Sequence, residues 1–132
     1  MSESVVLTRA WGNGADRIED GETVTTGLLV VLSLSGDDAV PEDCTDELVA
    51  CVLDVSQIKA LYMKCDRDIL IETNSGSSPG NSISLKAGKA VIWSTACGLA
   101  NPLTVDVTAL YLTLEAGEDA NLELRFAVDP TV

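Results

Sequence analysis

A two-residue hydrophobic alternation runs through most of this chain, and it constrains the fold more than any other feature. Over 121–128, Leu122, Leu124 and Phe126 alternate with Glu123 and Arg125. Only an extended strand sorts such a pattern onto two faces. Runs of the same kind occupy 5–11, 23–34, 48–54, 58–65, 69–73, 82–86, 90–94 and 103–114, separated by Gly, Asn, Asp, Ser and Pro. In the run 103–114, Leu110, Leu112 and Leu114 fall on one face, with Val105, Val107, Ala109 and Tyr111 on the other. No segment longer than a turn or two keeps a helical period. About nine strands at intervals of roughly 8–12 residues is the spacing of a sandwich or barrel. The expectation is an all-β fold: a single antiparallel β-sandwich over 1–132, with the jelly roll among the arrangements it allows. The stretch 1–22 is available as an inter-subunit arm.

The connections are read from turn chemistry. Gly12-Asn13-Gly14 breaks the first run, and 16–22 reads as a charged loop. Gly27 suggests a bend or bulge within the long second run. The stretch 35–47, with Asp37, Asp38, Glu42, Asp43, Asp46 and Glu47, reads as a mobile acidic excursion. Asp66-Arg67-Asp68 reads as a hairpin turn, and 74–81, containing Ser-Gly-Ser-Ser-Pro-Gly, as a loop.

Charge then excludes partners. Eight Lys and Arg against 21 Asp and Glu give a net charge of −13. Such a surface repels phosphate backbones and anionic lipid heads, so neither nucleic acid nor membrane is expected as a partner. The first residues lack the basic head and apolar stretch of a secretory signal, and the apolar run 28–32 is far too short to span a bilayer. A product made in the cytoplasm is expected.

Little catalytic chemistry fits this composition. There is no histidine, which removes Ser-His-Asp and Cys-His arrangements and histidine-ligated zinc. No phosphate-binding G-x-x-x-x-G-K-[ST] loop is present. Cys44, Cys51, Cys65 and Cys97 form no C-x-x-C pair and read as packing residues; Cys44 and Cys51 could meet across a turn, but a disulfide in a cytosolic product is the weaker reading. Carboxylate pairs for glycoside hydrolysis are inevitable among 21 acids and carry no signal by themselves. The acidic stretches 16–22 and 37–47 offer hard oxygen ligands for calcium, but without a fixed-spacing loop they read as solvated surface. Trp11, Trp93, Tyr62 and Tyr111 lie in or beside alternating runs and read as core. No enzyme activity, cofactor or metal is expected.

From 54 onward the text carries a set of phrases: D-V-S-x-I-K-x-L-Y at 54–62, D-x-x-I-E-T-N-S-x-S-x-P at 68–79, and I-x-L-x-A-G-K at 83–89. Trp93, D-V-T-x-L-Y-[LV]-T at 106–113 and D-P-T at 129–131 complete it. Together they resemble a group of small virion structural proteins of tailed bacteriophages, over the C-terminal three-fifths of the chain. The N-terminal part matches only in an early Trp strand and a Thr-rich strand, and the cysteines lie outside the pattern. The resemblance implies a capsid decoration (cement) protein that binds the major capsid protein on the outer surface of the expanded head, commonly as a homotrimer at threefold positions. Tail, neck, or receptor- or carbohydrate-binding components of the same virion are the alternative; exposed Trp93, Tyr62 or Tyr111 would favour sugar binding. The residues expected at an interface are Val5, Leu7, Trp11, Leu28, Leu29 and Val30, from the first strand and the apolar run.

Overall fold

Extended backbone forms nearly everywhere the alternation predicts it. The structure, a computed structural model, describes residues 3–13, 16–26, 28–115 and 117–129, with side chains over 28–115 and 117–129. The strands are β1 (Glu3–Asn13), β2 (Asp16–Thr26), β3 (Leu28–Leu34), β4 (Glu47–Leu53) and β5 (Ile58–Cys65). They continue as β6 (Ile69–Thr73), β7 (Ser82–Leu85), β8 (Val91–Ser94), β9 (Val107–Thr113) and β10 (Leu122–Val128). Single 3-10 turns occupy Gly36–Asp38, Val55–Gln57 and Thr95–Cys97.

Eight of these strands make two antiparallel four-stranded sheets, in the orders β3-β10-β5-β8 and β4-β9-β6-β7. Numbered one to eight from β3, the orders are 1-8-3-6 and 2-7-4-5, the double Greek key of a jelly roll. Successive strands β3/β4, β5/β6, β7/β8 and β9/β10 hold equal positions in opposite sheets. The short links 66–68 and 86–90 leave their strands no room to lie elsewhere than one over the other. β3 and β4 therefore border one side of the sandwich, and β7 and β8 the other.

The core lies between the sheets and is mainly aliphatic. Leu61, Met63 and Cys65 of β5 and Leu122, Leu124 and Phe126 of β10 meet Ile69 and Ile71 of β6 and Leu110 and Leu112 of β9. Phe126, opposite both Val30 and Leu61 in the strand register, sits at the centre of the first sheet. Burial on this scale contributes roughly 1.5–3 kcal/mol per large side chain. A second, small cluster, Ala60 and Ala127 with Ile92 against them, lies on the outer face of the same sheet. β2 comes within 8 Å, Cα to Cα, of both β5 and β10.

Several expectations change. The described residues form ten strands: 16–22 is no loop but the first part of β2, which pairs along its whole length with β1 as a separate two-stranded sheet. The long run 23–34 is divided between β2 and β3. Asp66-Arg67-Asp68 makes no hairpin, because β5 and β6 lie in different sheets; the link carries the chain across the sandwich. A local turn signal does not reveal whether the next strand pairs or crosses. The acidic stretch 35–47 is pinned: Val40 is buried and exchanges two backbone hydrogen bonds with Ala120, at 2.9 and 3.0 Å. Val107 turns inward with Leu110 and Leu112, because β9 meets an irregularity in β4 between Ala50 and Leu53.

Candidate interaction surface

Edges are where a sheet remains open to another chain, since one row of N–H and C=O groups is unpaired there. The four edges of this sandwich differ. β7 (SISL) and β8 (VIWS) are four residues long. β3 (LLVVLSL) and β4 (ELVACVL) are seven residues long, and between them they carry one charged residue, Glu47. The two long, apolar edges thus share one side of the molecule.

Of the six residues expected at an interface, Val5, Leu7 and Trp11 fall in β1, where the register sets them opposite Val24, Glu22 and Ile18. Their side chains lie outside the described residues. Leu28 opens β3 and is 49% exposed, and Leu29 is half-buried. Val30 is half-buried and packs on the core beside Leu32 and Leu34 of the same strand. Its neighbour Val31, 48% exposed, takes the outward place.

Sequence reasoning missed two strongly exposed apolar side chains. On β4, Leu48 is 61% and Val52 81% exposed, on the face opposite Val49 and Cys51, which pack on the core. Ala50 stands between them, with Tyr111 and Ala109 of β9 opposite Leu48 and Ala50. The signal was present in Leu-Val-Ala-Cys-Val-Leu, a strand apolar on both faces. Such a run reads equally well as a central buried strand.

The aromatic residues form no common platform. Trp93 is buried, and its indole N–H donates to the Leu99 carbonyl at 2.8 Å. Tyr62 shares the outward row of the first sheet with Arg125, whereas Tyr111 belongs to the outer face of the second. The two half-buried tyrosines are therefore on opposite faces of the sandwich.

The thiols are all unbridged. Burial pushes Cys44, Cys51 and Cys65 up from the ordinary value of 9.0, so they stay protonated near neutrality. Among the described residues no group of three His, Cys, Asp or Glu is placed to hold a metal ion. The side chains of the acidic residues in 16–22 lie outside the described residues. No helix among the described residues is long and apolar enough to cross a membrane.

Polar residues from the phrases that carry the resemblance turn out to hold loops. Asn74 donates through Nδ2 to the Asp106 carbonyl at 2.8 Å, and its Oδ1 accepts from the N–H and Oγ1 of Thr108 at 2.7 and 3.0 Å. Asn81, in the spacer between two of the phrases, accepts through Oδ1 from the N–H groups of Thr104 and Val105 at 3.1 and 3.2 Å. Asp106 in turn accepts from Val55 N–H at 3.0 Å, and Asp54 caps the following turn by accepting from Ser56 N–H at 3.0 Å. Asp68 accepts from Ala87 N–H at 2.8 Å, ahead of Gly88, whose φ of +73° suits glycine.

An open groove of about 670 Å³ runs beside these links, lined by Asp66, Arg67, Asp68, Lys86, Thr113 and Glu115 among others. Its charges are largely spent on one another: Arg67 pairs with Glu118, Lys86 lies 3.8 Å from Asp68, and Asp66 accepts from Asn121 at 2.8 and 3.1 Å. Comparison with family models, curated proteins and solved structures returns no match.

Proposed function

We propose that this chain is a non-enzymatic structural protein of a tailed-phage particle, a decoration protein that binds the major capsid protein on the outside of the expanded head. One observation carries the reading. The polar positions shared with the resembling virion proteins, Asp54, Asn74 and Asp106, are used to lock loops. That is what a rigid cement unit requires. Of the six large apolar side chains exposed among the described residues, four (Leu28, Val31, Leu48 and Val52) lie on the long edges β3 and β4. Jelly rolls also occur in viral capsids, which supports the reading only as an analogy of fold.

Three copies gathered at each threefold position of the shell would clamp neighbouring capsomers. Anything that binds only the closed, expanded shell stabilises it by mass action, and several linked contacts hold better than one. The net charge of −13 keeps the subunit soluble until it docks.

The test is co-sedimentation of the purified protein with expanded heads, unexpanded heads and isolated tails of the phage that encodes it. Saturable binding to expanded heads, with a raised shell-disruption temperature, is the expected result. Binding to tails alone would move the protein to the tail or neck, and binding to none of the three would remove the reading.

A further inference from the structure

We propose that β3 is a self-pairing edge, along which a second copy of this chain adds its own β3 antiparallel about Val31. The pairing stands apart from the decoration reading, since it needs no shell.

The edge strand is straight. All seven residues of β3 pair with β10 without a shift of register, from Leu28 opposite Val128 to Leu34 opposite Leu122. β4, by contrast, carries an irregularity between Ala50 and Leu53 and begins with Glu47. Bulges and charges are the usual guards against edge pairing, and short strands are another. β7 and β8 are short, β4 is bulged, and β3 has none of these guards.

Charge selects the occupant. Two molecules of net charge −13 repel each other over most of their surfaces. They can approach closely only where charge is missing, and β3 carries none. In the neighbouring strand, Arg125 and Glu123 flank the seam on its outer face and satisfy each other at 3.2 Å. A basic partner would instead be drawn to the acidic stretch 37–47.

The strand also complements itself. Pairing about Val31 sets Val30 opposite Leu32 of the second copy and Leu29 opposite Ser33, with the two Val31 residues facing each other on the twofold axis. Faces are preserved, so inner positions meet inner positions. Val30, Leu32 and Leu34 pack on the core yet remain only half-buried, and no described strand pairs with β3 on its far side. A second β3 would cover them, joining two four-stranded sheets into one of eight across an isologous contact. On a shell the same contact would tie one threefold cluster to the next.

Sedimentation velocity of the full-length protein over a range of NaCl concentrations is the test. The expected result is a monomer–dimer equilibrium that shifts towards dimer as salt screens the like charges. Val31→Asp places two carboxylates on the axis and should weaken the dimer roughly tenfold or more, while Val31→Thr, which keeps the β-branch, should retain most of it. Thermal melting of the dilute monomers should be nearly the same for both variants, which separates a lost seam from a lost fold. A protein monomeric at every salt concentration overturns the proposal, as does a trimer whose mass ignores Val31→Asp. So would a strand of the shell protein occupying the edge, seen as a monomer whose head binding alone depends on Val31.

Discussion

On one flank of the molecule, around the β6–β7 loop and the segment 101–108, polar side chains satisfy neighbouring backbone and apolar side chains are mostly buried. On the β3–β4 flank the reverse holds: Leu28, Val31, Leu48 and Val52 stand out from strands that carry almost no charge. The first flank is finished by the chain's own hydrogen bonds. The second keeps apolar area exposed that another molecule could remove from water. A buried or bridging hydrogen bond contributes about 0.5–1.5 kcal/mol net but costs more when one partner is lost. Stability should therefore be sensitive on the first flank, and association on the second.

The largest test of that contrast is Asn74→Ala. It removes three hydrogen bonds and places alanine at a φ of +72°, so a loss of about 2–4 kcal/mol is expected. Urea denaturation would measure it. Asn74→Gly, free of the backbone strain, should recover part of the loss, and self-association of the folded fraction should be unchanged in both.

A smaller effect probes where the flanks touch. Asp46, which leads into β4, packs its carboxylate against Gly76, so that a Cβ there would lie within 2.6 Å of it. Gly76→Ala should cost about 1 kcal/mol. Asp46 itself has a φ of +51°, so Asp46→Gly in the same chain should restore most of that loss. If the double variant is no more stable than the single one, the two flanks are not coupled through this contact.

The smallest effect is alkaline. Burial raises the thiols of Cys44 and Cys51 on the β4 flank above 9.0. The folded state therefore holds these protons more tightly than the unfolded chain. The stability they contribute is complete below about pH 9 and is lost as pH rises through the higher folded values. Urea midpoints at neutral and alkaline pH should show this loss, and Cys51→Ala should reduce it. An identical pH dependence in that variant would mean Cys51 carries none of it.

Much of this architecture was legible in the order of residues. The alternation Leu122, Leu124, Phe126 against Glu123 and Arg125 announced β10 and its inner face, and the structure buries those three residues. The loop 74–81 was equally clear, since Ser-Gly-Ser-Ser-Pro-Gly suits nothing else. The interface was only partly legible. Leu28 and Val30 were named from the apolar run and lie on β3, while the exposed Leu48 and Val52 were overlooked because an apolar run looks the same in a central strand as at an edge.

The sequence by itself determined that this chain forms strands, where most of them lie, and which residues face inward on the well-alternating ones. Alternation is a local consequence of the two-residue repeat of the extended backbone. Which strands pair, that 66–68 crosses between sheets, and that β3 and β4 end as open edges were decided only by the tertiary structure. Strand pairing is made by backbone groups common to all residues but proline, so no side-chain pattern along one strand names its neighbour.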